Sequence, residues 1–386
     1  MNNFIFSYPT KVYFGKGCVK EYLACLTRPY HTVMLAYGGG SIRKNGVYDE
    51  VASILAAEGK TVVEFSGIMP NPTYAKVQEG AKLAREAGVD FILAVGGGST
   101  IDCCKIVAAQ AVQEQDIWTM EMEKRDMPES FLPMGAIVTV SGTGSEMNNG
   151  AVITNEEKKI KAGLMGAHNT FAMLDPGYTM SVPFRQVISG AFDTLSHAME
   201  TYFGRPQDHN NLSDDIGEAV MRSVIANMRV LLTDHDSYEA RSELMWASAM
   251  AENGILKIGK ITDFQCHQME HQLGAYTDCN HGAGLAVLHP ALYRHIYKDG
   301  LPKFKRFATQ VWSIDPEGKS DEETAAAGVE ALAAFIKEMG LPTSFREMGI
   351  DPGTDFEAIA NSTNLTAGCC RKLTHEEILE IFQECR

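Results

Sequence analysis

Residues 90–105 read DFILAVGGGSTIDCCK. An unbroken apolar run, Phe91 to Val95, stops at Gly96, Gly97 and Gly98, and Ser99 follows. A short apolar run closed by glycine reads as a strand buried on both faces, turning into a helix. The same order stands earlier, in residues 31–46, HTVMLAYGGGSIRKNG, with Gly38, Gly39, Gly40 and Ser41 at the turn. TVVEFSG (61–67) and GAIVTVS (135–141) read as two more strands.

Helical spacing fills the gaps. Val47, Val51, Ile54 and Leu55 share one face, as do Val77, Ala81, Leu83 and Ala84. Strands alternating with helices imply a mostly parallel sheet covered on both sides. Beyond about residue 183 the strand signals end. Segments such as VISGAFDTLSHAMETYF, IGEAVMRSVIANMRVLL and EETAAAGVEALAAFIKEMG carry helical periodicity. The expected architecture is therefore an α/β Rossmann-like domain over residues 1–182 and an all-α domain over residues 183–386.

Bulk composition narrows the function. The chain has 386 residues and a formal net charge of -15, which disfavours nucleic acid and anionic membranes as partners. There is no apolar run long enough to span a bilayer and no signal-peptide pattern, and the nine cysteines form no CxxC. A reducing, cytoplasmic setting is expected.

A glycine turn between strand and helix lets a phosphate approach backbone N–H groups at a helix start. Neither GGGS completes G-x-G-x-x-G, and the P-loop GK[ST] is missing. A third segment, VTVSGTGSEMNN (138–149), also follows an apolar run. Three such turns at strand ends would ring one crevice, where open α/β sheets bind ligands.

The 11 histidines are unevenly informative. Asp193 and His197 are four apart in a helical run, as are His267 and His271, and His281 follows. A carboxylate with several imidazoles suits a divalent ion such as Fe(II) or Zn(II). His31, His168, His209, His235, His289, His295 and His375 read as ordinary core or surface residues. HQMEH resembles the zinc-protease H-E-x-x-H but has Gln268 in place of the catalytic glutamate.

Together, PTKVYFGKG (9–17), YGGGSIRKNGVYDEV (37–51), PNPT (70–73), VGGGSTID (95–102), SGTGSE (141–146), LDPGYTMSVPFRQVISGAFDTLSHAMETY (174–202) and the histidine stretch resemble the iron-containing (group III) alcohol dehydrogenases, in their butanol dehydrogenase-like branch. The resemblance runs nearly end to end. It implies a dehydroquinate synthase-like architecture with the metal in the cleft between the two domains. It implies Asp193, His197, His267 and His281 as metal ligands, with His271 beside the substrate. It points to Gly97, Gly98, Ser99 and Asp102 for the pyrophosphate and inner ribose. Thr139, Ser141, Thr179 and Met180 fall to the adenosine half, with Asn71 and Lys161 as further cofactor contacts. The resemblance further implies Asn148 at the border of the nicotinamide and the substrate. Relatives of this kind are commonly homodimers. The commoner T-T-A-G-T-G-S-E pattern is departed from at Val140 and Ser141.

NAD-using relatives tend to place an Asp in the first turn, and here that position is Gly39. With Gly38, Gly40 and Ser41 beside it and the cations Arg43 and Lys44 following, the turn leaves room for a 2′-phosphate, so NADP(H) is expected. Apolar neighbours of the histidines (Phe192, Phe264, Leu273, Tyr276, Ala283, Leu285) favour small uncharged alcohols and aldehydes. Two alternatives remain at this stage: a non-redox metal-dependent lyase or hydrolase, and an NAD-linked polyol dehydrogenase.

Overall fold

The two GGGS turns leave neighbouring strands. In the computed structural model, which describes residues 2–206 and 210–386, β2 (Thr32–Tyr37) and β4 (Phe91–Gly96) lie side by side and parallel. Two compact units are present: Ser7–Val182, and Pro183–Arg386 together with the chain start through Phe6.

The first unit holds a six-stranded parallel sheet. Its strands are β1 (Lys11–Phe14), β2, β3 (Thr61–Phe65), β4, β5 (Met134–Val138) and β8 (Asn169–Leu174), in the order β1-β8-β5-β4-β2-β3. β6 (Gly150–Asn155) and β7 (Ile160–Met165) form a separate antiparallel hairpin. The helices are α1 (Cys18–Thr27), α2 (Ser41–Lys44), α3 (Val47–Ala57), α4 (Tyr74–Glu86) and α5 (Gly98–Gln110). Every residue of β4 and β5 is buried, which is why those stretches are apolar without alternation. Fully buried Ile92 and Leu93 each contribute about 1.5–3 kcal/mol by leaving water. The sequence reading placed four of the strands; β1, β8 and the β6–β7 hairpin complete the unit.

From β2 the chain steps outward to β3, then returns to the other side of β2 for β4. The order reverses between β2 and β4, so both glycine turns emerge at the switch point of the sheet. The turns differ physically. Gly40 has φ 95°, a left-handed conformation that favours glycine, ahead of the short α2. The second turn leads directly into α5, whose first residue, Gly98, is required by packing: a Cβ there would stand 2.2 Å from Thr143 Oγ1.

The second unit is helical: α6 (Phe184–Tyr202), α7 (Leu212–Thr233), α8 (Tyr238–Glu252), α9 (Gln265–Thr277), α10 (His281–Ile296), α11 (Leu301–Arg306), α12 (Asp321–Glu338), α13 (Phe356–Ser362) and α14 (His375–Glu384). α7, α12 and α14 begin with full capping boxes, from Asn211, Ser320 and Thr374. Phe192, Leu195, Leu273, Leu285, Leu288 and Phe382, among others, form one continuous core. No helix among the described residues is long and apolar enough to cross a membrane.

Candidate metal centre and nucleotide site

α6, α9 and the first residue of α10 bring four donors together in the helical unit. Asp193 and His197 lie one turn apart on α6, His267 near the start of α9, and His281 opens α10 behind its Asn280 cap. Asp193 Oδ1 stands 3.8 Å from His197 Nε2, 3.5 Å from His267 Nε2 and 3.4 Å from His281 Nε2. Those separations are long for hydrogen bonds. Four ligand atoms about 2.1 Å from one ion in a tetrahedron are about 3.4 Å apart, so the distances fit donors sharing a cation. Asp193 Oδ1 and His267 Nε2 are buried and make no hydrogen bond, a costly state unless an ion takes them up. The donors thus fit a divalent ion.

Grouping by donor proximity puts Asp193, His197 and His267 in one set and Glu270, His271 and His281 in another. The 3.4 Å approach of His281 Nε2 to Asp193 assigns it to the first set as well, because its other nitrogen faces Glu270. His271 stands alongside, its ring centre 5.9 Å from that of His267 and 5.7 Å from that of His281.

Two glutamates unnoticed in the sequence organise this centre. Glu200, on the same face of α6, accepts from Cys266 N at 2.7 Å and His267 N at 3.2 Å and contacts His267 Nδ1 closely. Glu270 does the same for His281 Nδ1. A carboxylate on one ring nitrogen orients the other toward a metal. Their spacing from Asp193 and His267 was the available signal, but helix glutamates usually face water. Replacing Glu200 with Gln is expected to weaken metal affinity about 10–100-fold, read by chelator competition. Unchanged affinity would show that Glu200 does not act through His267.

Electrostatics agree with cation binding. Burial alone would raise the Asp193 carboxyl, but His197 and His281 hold it well below the usual carboxylate range. Burial pulls His197 down to about 4 against the opposing pull of Asp193, leaving a neutral imidazole with a lone pair to give. For His267 burial is outweighed by Glu200 and Asp193, and the ring is pushed up to about 10. This is a pocket that attracts positive charge.

Apolar neighbours divide into two kinds. Phe192, Leu273 and Leu285 are fully buried core, so they do not form an accessible wall, whereas Phe264, Tyr276 and Ala283 are half-buried. Phe264 sits in a left-handed conformation (φ 53°, ψ 46°), its ring centre 5.9 Å from that of His197 and 5.3 Å from that of His267. Such strain in a bulky residue persists where surrounding contacts over-determine it. Here Asp263 accepts from Gly368 N and Cys369 N at 2.9 and 2.7 Å and anchors the segment.

The remaining histidines bear out ordinary roles where described. His235 meets Leu231 O, His289 meets Ser196 Oγ at 2.6 Å, His295 pairs with Glu384 and His375 meets Thr363 O. His31 and His168 are both exposed. His209 lies outside the described residues.

In the α/β unit, the nucleotide candidates gather at one end of the sheet. Gly38–Ser41 follows β2, Asn71 lies beyond β3, Gly97–Ser99 follows β4, Thr139–Ser141 follows β5, and Thr179 and Met180 follow β8. Those strands are consecutive in the sheet, in the order β8-β5-β4-β2-β3. The loops interlock: Thr139 N donates to Gly96 O at 3.0 Å, Val140 packs against Gly97, and Gly67 N donates to Gly38 O at 3.1 Å. Lys161 is buried on β7. Asp102 is already engaged, with one oxygen against Ser145 Oγ and the other accepting from Val152 N at 2.8 Å. Its visible work is to brace the third turn.

Lys105 is the second feature that sequence reading missed. It is fully buried, and its Nζ donates to Ser145 Oγ at 2.8 Å, Asn148 Oδ1 at 3.0 Å and Gly150 O at 2.6 Å. That ammonium holds Asn148 in place through charge-assisted bonds. Arg43, expected to await a phosphate, is instead bound to Tyr37 and Glu64.

Comparison with known proteins gives a consistent result. Residues 9–176 match the family model described as iron-containing alcohol dehydrogenase, and residues 187–385 match the C-terminal model of the Fe-containing alcohol dehydrogenase family. The chain is 39% identical to NADH-dependent butanol dehydrogenase A of Clostridium acetobutylicum, covering 100% of both. It is 36% identical to the NADPH-dependent aldehyde reductase YqhD of Escherichia coli, over 91% of this chain and 90% of the relative. The crystal structure of NADH-dependent butanol dehydrogenase A from Thermotoga maritima is similar with a TM-score of 0.93 and 36% identity, covering 100% of this chain and 99% of that one.

Proposed function

The chain belongs to the iron-containing alcohol dehydrogenase family, and from that premise we propose that it reduces small aldehydes to primary alcohols, and the reverse, with NADP(H). Metal-dependent alcohol and aldehyde oxidoreduction is the activity its relatives share, which sets aside the lyase and hydrolase alternative. The observation that carries the metal chemistry is the convergence of three imidazole Nε2 atoms on Asp193 Oδ1.

Asp193, His197, His267 and His281 would hold a divalent ion, Fe(II) or Zn(II), with Glu200 and Glu270 fixing two of the rings. Such an ion supplies Lewis acidity toward a substrate oxygen. A bound nicotinamide supplies or accepts hydride. The protein does the rest. His271, adjacent to two of the ligand rings, moves the proton to or from the substrate oxygen. Half-buried Phe264 and Tyr276 offer apolar surface that favours an uncharged alkyl chain. Lys105 holds Asn148, whose place is beside the nicotinamide. The glycine turns after β2 and β4 admit the nucleotide backbone, and the start of α5 favours its pyrophosphate. A homodimer is part of the same proposal, checked by light scattering.

NADP(H) rests on the first turn. A Cβ at Gly39 would meet nothing within 4 Å, and the residue lies outside the left-handed region, so a side chain fits there without strain. Gly39→Asp should therefore place a carboxylate in the turn and leave the fold intact. We expect it to lower NADPH affinity relative to NADH by about 10-fold or more. The experiment is butanal reduction by the metal-loaded protein and by Gly39→Asp, with each nucleotide, followed at the reduced-nicotinamide absorbance. A wild-type protein inactive with either nucleotide sinks the oxidoreductase reading; an unchanged nucleotide ratio in the variant sinks the NADP(H) assignment.

A further inference from the structure

The first glycine turn has a wall that the sequence does not reveal. Tyr37 is the last residue of β2, immediately before Gly38, and Glu64 lies on the adjacent β3, with Leu35 as its register partner. Arg43 reaches back to both. Its Nε and one terminal nitrogen donate to the Tyr37 hydroxyl at 3.0 and 2.6 Å, and the same terminal nitrogen donates to Glu64 Oε2 at 2.5 Å. The Tyr37 hydroxyl donates to that oxygen at 2.7 Å, and the Tyr48 hydroxyl bonds Glu64 Oε1. The guanidinium lies 3.7 Å from the centre of the Tyr48 ring. Both charged side chains remain open to solvent, at 46% and 44% exposure, so a ligand can reach them.

Resting on the NADP(H) reading, we infer that Glu64 is a specificity-determining residue for the nucleotide. Arg43 is a cation whose charge is already matched. A 2′-phosphate entering the turn must draw the guanidinium away from Glu64 or share it, and must also stand near that carboxylate. Both costs fall on a phosphorylated ribose alone. A free 2′-hydroxyl meets an acceptor in Glu64 instead. The bonds from Tyr48, Tyr37 and Arg43 hold the Glu64 carboxyl below the usual range, so it stays charged at neutral pH. The ratio of NADPH to NADH binding is thus set by two opposed features, the carboxylate-free Gly39 and the carboxylate of Glu64.

Glu64→Gln keeps the size and an acceptor oxygen and removes the charge. Binding is read by titrating nicotinamide fluorescence at equilibrium, without turnover, on wild-type protein, Glu64→Gln, Arg43→Gln and the double variant, each checked for an unchanged thermal melt. The expected result is an NADPH affinity raised about 5-fold relative to NADH in Glu64→Gln, with most of that gain lost at about 0.5 M salt, and a clearly smaller gain when the double variant is compared with Arg43→Gln. A shift equal for both nucleotides, or a gain as large without Arg43 as with it, overturns the inference. The two readings fail separately. A wild-type preference for NADH that Gly39→Asp leaves unaltered removes the NADP(H) assignment, whereas a selective NADPH gain in Glu64→Gln still upholds the role of Glu64.

Discussion

His267→Ala should purify without its divalent ion and lose at least about 10³-fold in kcat/KM, the loss of a Lewis acid worth several kcal/mol at the transition state. The side chain is buried; its Nδ1 contacts Glu200, and its Nε2 lies 3.5 Å from Asp193 Oδ1. Removing it takes away one of the four candidate donors and leaves the buried Glu200 carboxylate without its imidazole partner. Stranding a buried charge typically costs about 3–5 kcal/mol, so a lowered melting temperature should accompany the metal loss. Elemental analysis of the purified variant decides the matter. Full metal occupancy would exclude His267 from the donor set.

His271→Ala should behave differently. The metal should remain at wild-type stoichiometry while kcat falls about 10²–10⁴-fold, the range for loss of a positioned general acid or base. His271 lies one helical turn from His267 and stacks beside His281 at a ring-centre distance of 5.7 Å, yet it is not among the rings facing Asp193 Oδ1. Metal analysis and kinetics on the same preparation separate the roles. Metal loss equal to that of His267→Ala would make His271 a ligand.

Local pattern carried much of this. β2 and β4 were readable because a strand buried on both faces must be apolar throughout, and glycines mark where each one ends. That Asp193, His197, His267 and His281 would converge was foreseeable because side chains four apart share a helix face, and because the family resemblance grouped them. β1 and β8 were harder. β1 is short with both ends exposed, and β8 begins with Asn169 and Thr170, so neither shows a clean run. Glu200 and Glu270 offered only their helical spacing from Asp193 and His267, and Lys105 offered no signal. A charged residue on a helix is ordinarily solvated, and only the convergence of separate segments shows these three buried at work. Arg43 shows the converse. Its sequence neighbours promised a free cation, but its true partner lies on β3, beyond a whole intervening helix.

The pairing of β1 with β8 has a consequence for how the chain is made. Lys11–Phe14 is synthesised before the other strands of its sheet, yet its register partners are Phe171–Leu174, and the four central and far-edge strands must be made in between. The opening strand must therefore wait, unpaired, until nearly all of the α/β unit exists. Loop closure on that scale is slow, and a waiting strand is a site for wrong partners. Charged Lys11 and the brevity of β1 keep that edge from being sticky during the wait.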